Sequence, residues 1–124
     1  KKDRKLEDRT ILVIQDGEKT AIRRRPSRGL LAGLYEFPNV SGHLSKEETL
    51  EMIREMNLDP LYIEPLPDAK HIFSHIEWRM TAYRVRVSSL EDNNRANLLF
   101  VSRKQSDRQY AIPSAFSAYT RYIE

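Results

Sequence analysis

The sequence predicts an α+β domain in which a mixed β-sheet is layered between helices. Three observations carry this. Apolar runs bounded by turn residues, at 10–15, 78–87 and 98–102, read as strands. Apolar residues at helical spacing follow Ser45 and Pro113. The two kinds of element succeed one another without regular alternation, which favours a layered mixed sheet over a doubly wound one. A length of 124 residues is the usual size of one domain around one core.

Taken in order, residues 1–8 are nearly all charged, with Leu6 the only apolar group, and read as the end of an interdomain linker. The folded domain is expected over 9–124. Residues 10–15, a turn at Asp16, Gly17 and Glu18, and residues 20–24 predict a hairpin. Ser45-Lys46-Glu47-Glu48 is a capping box. The Ser45 hydroxyl accepts from the Glu48 amide while the Glu48 carboxylate accepts from the Ser45 amide, so a helix starts there. Leu50, Met52, Ile53 and Met56 give it an apolar stripe, and residues 57–60 end it at a proline. Pro65 and Pro67 mark a loop before a second strand region. There Thr81, Tyr83, Val85 and Val87 share one face, and Trp78, Met80 and Ala82 share the other before it turns basic at Arg84 and Arg86. Residues 91–94 are polar and turn-like, and 98–102 make a short strand. Pro113 opens a final helix with Phe116, Tyr119 and Ile123 on one side.

Composition excludes several classes. With 40% hydrophobic and 31% charged residues the chain has an ordinary globular balance, and its longest apolar run, Ile11 to Ile14, falls far short of a membrane span. No membrane association is expected. The opening Lys-Lys-Asp-Arg-Lys has no apolar segment behind it and is no secretory signal; without an initiating methionine, the chain is expected to be part of a larger parent. The lack of cysteine removes disulfides, thiolate zinc sites and iron–sulfur ligation from this segment and fits an intracellular chain. The net charge of +3 is too small to argue for nucleic acid, but its distribution is uneven. Residues 45–59 set Lys46 and Arg54 against Glu47, Glu48, Glu51, Glu55 and Asp59, so the remainder is more basic than the total. Arg23, Arg24, Arg25 and Arg28, with Arg79, Arg84 and Arg86, form a candidate phosphate-facing set. Solvated strand edges carrying charge are the alternative.

Three stretches carry a resemblance. They are Arg25-Pro26-Ser27-Arg28-Gly29-Leu30-Leu31-Ala32-Gly33-Leu34-Tyr35-Glu36-Phe37-Pro38, then His71-Ile72-Phe73-Ser74-His75-Ile76-Glu77-Trp78, then Ile112-Pro113-Ser114-Ala115-Phe116. In this order they resemble the carboxy-terminal domain of MutY-type adenine DNA glycosylases, over nearly the whole chain from about Arg9. The first two are specific and the third is supportive. The resemblance implies a Nudix-like fold related to the MutT pyrophosphohydrolase, a mixed sheet between helices. It does not extend to active Nudix chemistry. That family's box runs Gly, five residues, Glu, seven residues, Arg-Glu, an aliphatic, any residue, Glu-Glu, any residue, Gly. With Arg54-Glu55 on its Arg-Glu, Val40 and Leu61 fall on the glycines, Lys46 on the first Glu, and Leu58 and Asp59 on the Glu-Glu. Glu55 and Asp59 alone make a poor cage for hard divalent cations.

8-Oxoguanine differs from guanine by a carbonyl at C8 and a proton on N7, so an edge that only accepts gains a donor. A serine hydroxyl both donates and accepts, and turn backbone can complete the pattern. In the resembled family the Phe-Ser-His loop contacts the oxidised base, which carries that role to Phe73, Ser74 and His75. By residue type alone, Phe73 would fill core and Ser74 would cap backbone. His71 belongs to the same stretch and is a further candidate contact. The four-residue spacing of His71 and His75 would suit zinc on a helix, but the surroundings read as loop and strand with no third ligand, so no metal site is expected. Arg28 and the amides of Gly29 to Gly33 are candidates to lie beside a phosphate, against the alternative that the glycines only permit a turn while Leu30, Leu31, Leu34 and Phe37 fill core. Glu36, a carboxylate without an evident partner, is weak evidence for acid–base work.

The resemblance therefore implies a domain that holds 8-oxoguanine-containing double-stranded DNA while an amino-terminal catalytic domain of the same polypeptide extrudes and cleaves the mispaired adenine. No catalytic residue and no cofactor are expected here, since the family carries its 4Fe-4S cluster in the catalytic domain. A monomer in the bacterial cytoplasm, associated with the nucleoid, is the expected setting. A Nudix hydrolase of oxidised nucleotides and a Nudix-derived protein-interaction module are the alternatives.

Overall fold

The computed structural model describes residues 3–89, 97–110 and 112–123. Its centre is β1 (Lys5–Asp16), whose residues 10–15 are all buried because the strand is covered on both faces. A hairpin joins it to β2 (Lys19–Arg24), with Gly17 supplying the positive φ of 58° at the turn. Two short strands follow, β3 (Tyr35–Glu36) and β4 (Asn39–Ser41), then α1 (Lys46–Glu55). The long hairpin β5 (Pro60–Ile72) and β6 (Ile76–Val87) comes next, and β7 (Leu99–Val101) closes the strand set. Among the described residues the sheet runs β3-β2-β1-β6-β5, with β4 against β1 and β7 against β2. β1 pairs parallel with β6 and the other pairings are antiparallel, so the sheet is mixed.

Strand alternation sorts the core into two clusters. Ile11 and Val13 face the side of Trp78, Met80 and Ala82, where Ala115, Phe116, Tyr119 and Ile123 cover them. Those residues come from a 3-10 turn (Ser114–Phe116), α3 (Ser117–Thr120) and the segment just after it. Leu12 and Ile14 face the side of Val85 and Val87, where Ile53 of α1 and Leu58 cover them. The sheet between helical layers is the α+β arrangement expected. The Ser45 capping box forms as its residues require: the Glu48 amide donates to Ser45 Oγ at 3.1 Å, and the Ser45 amide donates to Glu48 Oε1 at 2.8 Å. Asn57, at φ 64°, lies just past the helix end.

Three expectations need correction. Residues 5–8 are not linker: they extend β1, with Lys5 to Asp8 opposite Ile76 to Arg79 of β6. Main-chain pairing holds them there, so their charged side chains give no sign of a strand. Pro65 and Pro67 do not mark a loop, because β5 runs straight through them. β5 is the sheet's edge, where a missing N–H is tolerated, and its pairing slips between Pro60 and Tyr62 and between Leu66 and Ala69. Lastly, α2 (Arg103–Gln109) was not anticipated, although Ser102 and Gln105 form a second capping box. The turn expected at 91–94 lies outside the described residues.

Candidate nucleic-acid interface

The β5–β6 hairpin ends in a tight turn closed by the Phe73 amide donating to the Ile76 carbonyl at 2.7 Å. Ser74 and His75 stand exposed at its tip, while Phe73 and His71 are half-buried behind them. His71 lies directly across the hairpin from Trp78, with Phe73 wedged between them. Phe73 meets the His71 ring edge-on at 4.7 Å between centroids and Trp78 at 5.2 Å. Trp78 in turn meets Phe116 at 5.6 Å, and Phe116 meets Phe37 at 6.1 Å. This aromatic chain roots the turn in the core and offers Ser74 and His75 to solvent.

The start of β1 pins the hairpin from the side. The Lys5 amide donates to the His75 carbonyl at 2.9 Å, and Trp78 Nε1 donates to Glu7 Oε1 at 3.2 Å. Glu77 is 7% exposed, and Arg4 and Arg79 bond its carboxylate at 3.4 and 3.3 Å. Burial pushes that carboxyl upward, but the bonds from Arg79 and Arg4 prevail and hold it below its ordinary value. Glu7 and Trp78 were missed as supports, because nothing in a charged segment signals which carboxylate will meet an indole.

The arginines divide sharply. Glu36, 2% exposed, accepts from Arg23 Nε at 2.9 Å, Arg25 Nη1 at 2.5 Å and Asn39 Nδ2 at 2.8 Å. Asn39 Oδ1 accepts from Arg9 through both Nε and Nη2. The Arg9 and Arg25 guanidinium carbons lie 5.5 and 5.6 Å from the centroid of the Trp78 ring. Burial, partly offset by Glu36 and reinforced by Arg25, draws the Arg9 pKa below its ordinary value. Glu36 is therefore no lone carboxylate; it ties β2 and β3 to the core. Arg79 and Arg84 are likewise engaged, with Glu77 and Glu64, each at 3.3 Å. Of the candidate phosphate-facing set, Arg24, Arg28 and Arg79 stand exposed, the first two near the 25–34 loop. Arg24 donates to the Gly33 carbonyl at 3.0 Å. Among the described residues no hydrogen bond or ion pair joins Arg28 to Phe73, Ser74 or His75.

A strand-rich sheet with one helix on one face and a short carboxy-terminal helix on the other has recognisable relatives. The sequence model of the NUDIX domain matches residues 9–122. The chain belongs to the NUDIX domain family. The C-terminal domain of mouse MUTYH, solved in complex with human PCNA, is similar in structure with a TM-score of 0.71 at 20% identity, over 94% of this chain and 88% of that one. A MutT NUDIX hydrolase from Burkholderia pseudomallei gives 0.69 at 12% identity, over 97% and 99%. The ORF135 protein of E. coli gives 0.62 at 20% identity, over 95% and 88%. At these identities the likeness is one of fold.

NUDIX hydrolysis depends on carboxylates of one helix holding divalent cations, and the residues here do not fit that group. Lys46 brings a cation to the first turn of α1, and Leu58, 6% exposed, is committed to the core. Among the described residues no group of three or more His, Cys, Asp and Glu is placed to hold a metal ion. His71 and His75 share that outcome, one on a strand and the other in a turn.

Proposed function

We propose that this NUDIX domain reads 8-oxoguanine opposite adenine, as the carboxy-terminal domain of a MutY-type adenine DNA glycosylase whose amino-terminal domain performs the base excision. The observation that carries the reading is the hairpin tip: a serine hydroxyl and an imidazole presented together to solvent on an aromatic root. A hydroxyl in that position accepts from the N7 proton that guanine lacks, and backbone groups of the turn complete the edge. Phe73 acts as the brace, His75 and His71 flank the base, and Arg28 contacts the DNA backbone. The fold shared with the MUTYH C-terminal domain supports this reading.

The test compares duplexes carrying 8-oxoguanine or guanine opposite a noncleavable adenine analogue, bound by the parent glycosylase and by its Ser74→Ala variant. Losing a direct polar contact costs about 1–3 kcal/mol of lesion preference and leaves guanine-duplex affinity alone. Equal weakening on both duplexes would sink the base-reading role. Magnesium-dependent pyrophosphate release by the chain would favour a hydrolase instead. Indifference to Ser74 together with binding of a protein partner would favour a protein-interaction role, as the complex of the MUTYH domain with PCNA illustrates for that protein.

A further inference from the structure

Several carbonyls of the loop that joins β2 to β3 are bonded, while a run of its amides is not. The Pro26, Leu31 and Leu34 carbonyls accept from the Gly33, Leu34 and Arg25 amides at 2.9, 3.2 and 2.8 Å. The Leu30 and Gly33 carbonyls accept from Arg25 Nε and Arg24 Nε at 2.9 and 3.0 Å. The amides of Gly29, Leu30, Leu31 and Ala32 have no acceptor among the described residues. In this stretch φ is positive at Gly29 (92°), Leu31 (55°) and Gly33 (71°) and not at Leu30 or Ala32. Residues of opposite φ sign in succession are the backbone pattern from which anion-binding concavities of N–H groups are built.

The alternation is not free. A leucine in the left-handed region costs about 1–2 kcal/mol, and the packing of Leu30 and Leu31 against the core offsets it. The surrounding charge has one sign. Arg24 and Arg28 are exposed, and between Thr20 and Glu36 the sequence holds no acidic residue. Glu36 itself is turned inward between Arg23 and Arg25. Arg25 and Trp78 are the link to the hairpin: Arg25 bonds the Leu30 carbonyl and lies over the Trp78 ring, which touches Phe73.

We infer that the amides of residues 29–32, with Arg28 beside them, hold a phosphate oxyanion, and that its source is a backbone phosphodiester of the DNA strand whose base the hairpin reads. The choice of DNA as the source rests on the proposed base-reading role; the anion site does not. The loop fixes the strand's position without reading sequence, and the hairpin tip discriminates the base.

Amide spectra of the 124-residue chain, followed by nuclear magnetic resonance, test this in three titrations: the 8-oxoguanine duplex, the matching guanine duplex, and inorganic phosphate. The amides of residues 29–32 are expected to shift with both duplexes alike, and with phosphate only at far higher concentration. Arg28→Ala should weaken both duplexes several-fold by the same factor and lower the salt slope of log affinity by about 1, while Arg28→Lys keeps that slope. Ser74→Ala should weaken the lesion duplex alone. Loop amides that stay still while Ser74 and His75 respond overturn the anion site and leave base reading intact. Loop amides that respond while the tip never distinguishes the lesion do the reverse. A response to inorganic phosphate at duplex concentrations overturns DNA as the source, and no response anywhere overturns both.

Discussion

Phe73 stands edge-on to Trp78, 5.2 Å between ring centroids with the planes at 73°, and this contact fastens the exposed hairpin tip to the core. Phe73 therefore does in this fold what its residue type suggested, filling space against the core next to Ser74. Phe73→Ala should destabilise the domain by about 2 kcal/mol, less than a fully buried phenylalanine because the ring is half-exposed. Under the proposed function it should also reduce preference for the lesion, with guanine-duplex binding retained. Urea unfolding and duplex affinities measure the two effects. An unchanged lesion preference in a destabilised variant would separate the brace from the base contact.

Glu36 answers two arginines at once. Taking it away removes the carboxylate from Arg23 and Arg25, whose side chains are 30% and 15% exposed and which keep bonds to the Asn39 and Leu30 carbonyls, so Glu36→Ala should cost about 1–3 kcal/mol in chemical unfolding. Glu36→Gln, which keeps an acceptor, should cost less. A loss under about 1 kcal/mol would mean that water reaches these guanidinium groups in solution.

Much of this fold was legible in the sequence, and what was hidden had a physical reason. Ser45 and Glu48 specify the start of α1 by local chemistry, and the face partition of residues 78–87 survives because both faces of β6 are covered. Glu36 remained opaque because Arg23 meets it across a strand pairing and Arg25 and Asn39 reach it from outside that pair, and spacing along the chain does not encode this. β5 was hidden because proline argues against a strand in general, whereas an edge with slipped register accommodates it. At the hairpin, the motif singles out Ser74, and the fold leaves it exposed at the tip. The support from Glu7 was not legible, since a charged segment at the start of a chain looks the same whether it is paired or free.

Glu7 offers a direct probe, because Trp78 is the only tryptophan of the chain and its indole N–H donates to that carboxylate. Glu7→Ala leaves a buried donor without an acceptor and should cost about 1–3 kcal/mol. Removing residues 1–8 should do more, since it also strips the main-chain pairing of β1 with Ile76 to Arg79. Intrinsic fluorescence follows both variants, and the emission of Trp78 should change in Glu7→Ala before any unfolding. A truncated chain as stable as the full one would restore these residues to linker status.

The alkaline limit of stability should depend on Tyr119. Its ring is 1% exposed and its hydroxyl donates to the Pro67 carbonyl at 2.9 Å, tying the carboxy-terminal helix to the edge strand. Burial, with further contributions from Asp68 and Tyr122, pushes its pKa from 10.0 up to about 12. An acid whose folded pKa is raised stays protonated in the folded chain while the unfolded chain has already released its proton. Its contribution is therefore complete below pH 10 and falls as pH rises toward 12, by roughly 2–3 kcal/mol in all. The comparison is with Tyr119→Phe, which removes this hydroxyl alone. That variant should be less stable by about 1 kcal/mol at neutral pH, from the lost bond to Pro67, and the gap should close or invert in strong alkali. Unfolding curves taken from pH 8 to pH 12 on both proteins decide it: parallel pH profiles would show that the Tyr119 hydroxyl titrates as though it were in water.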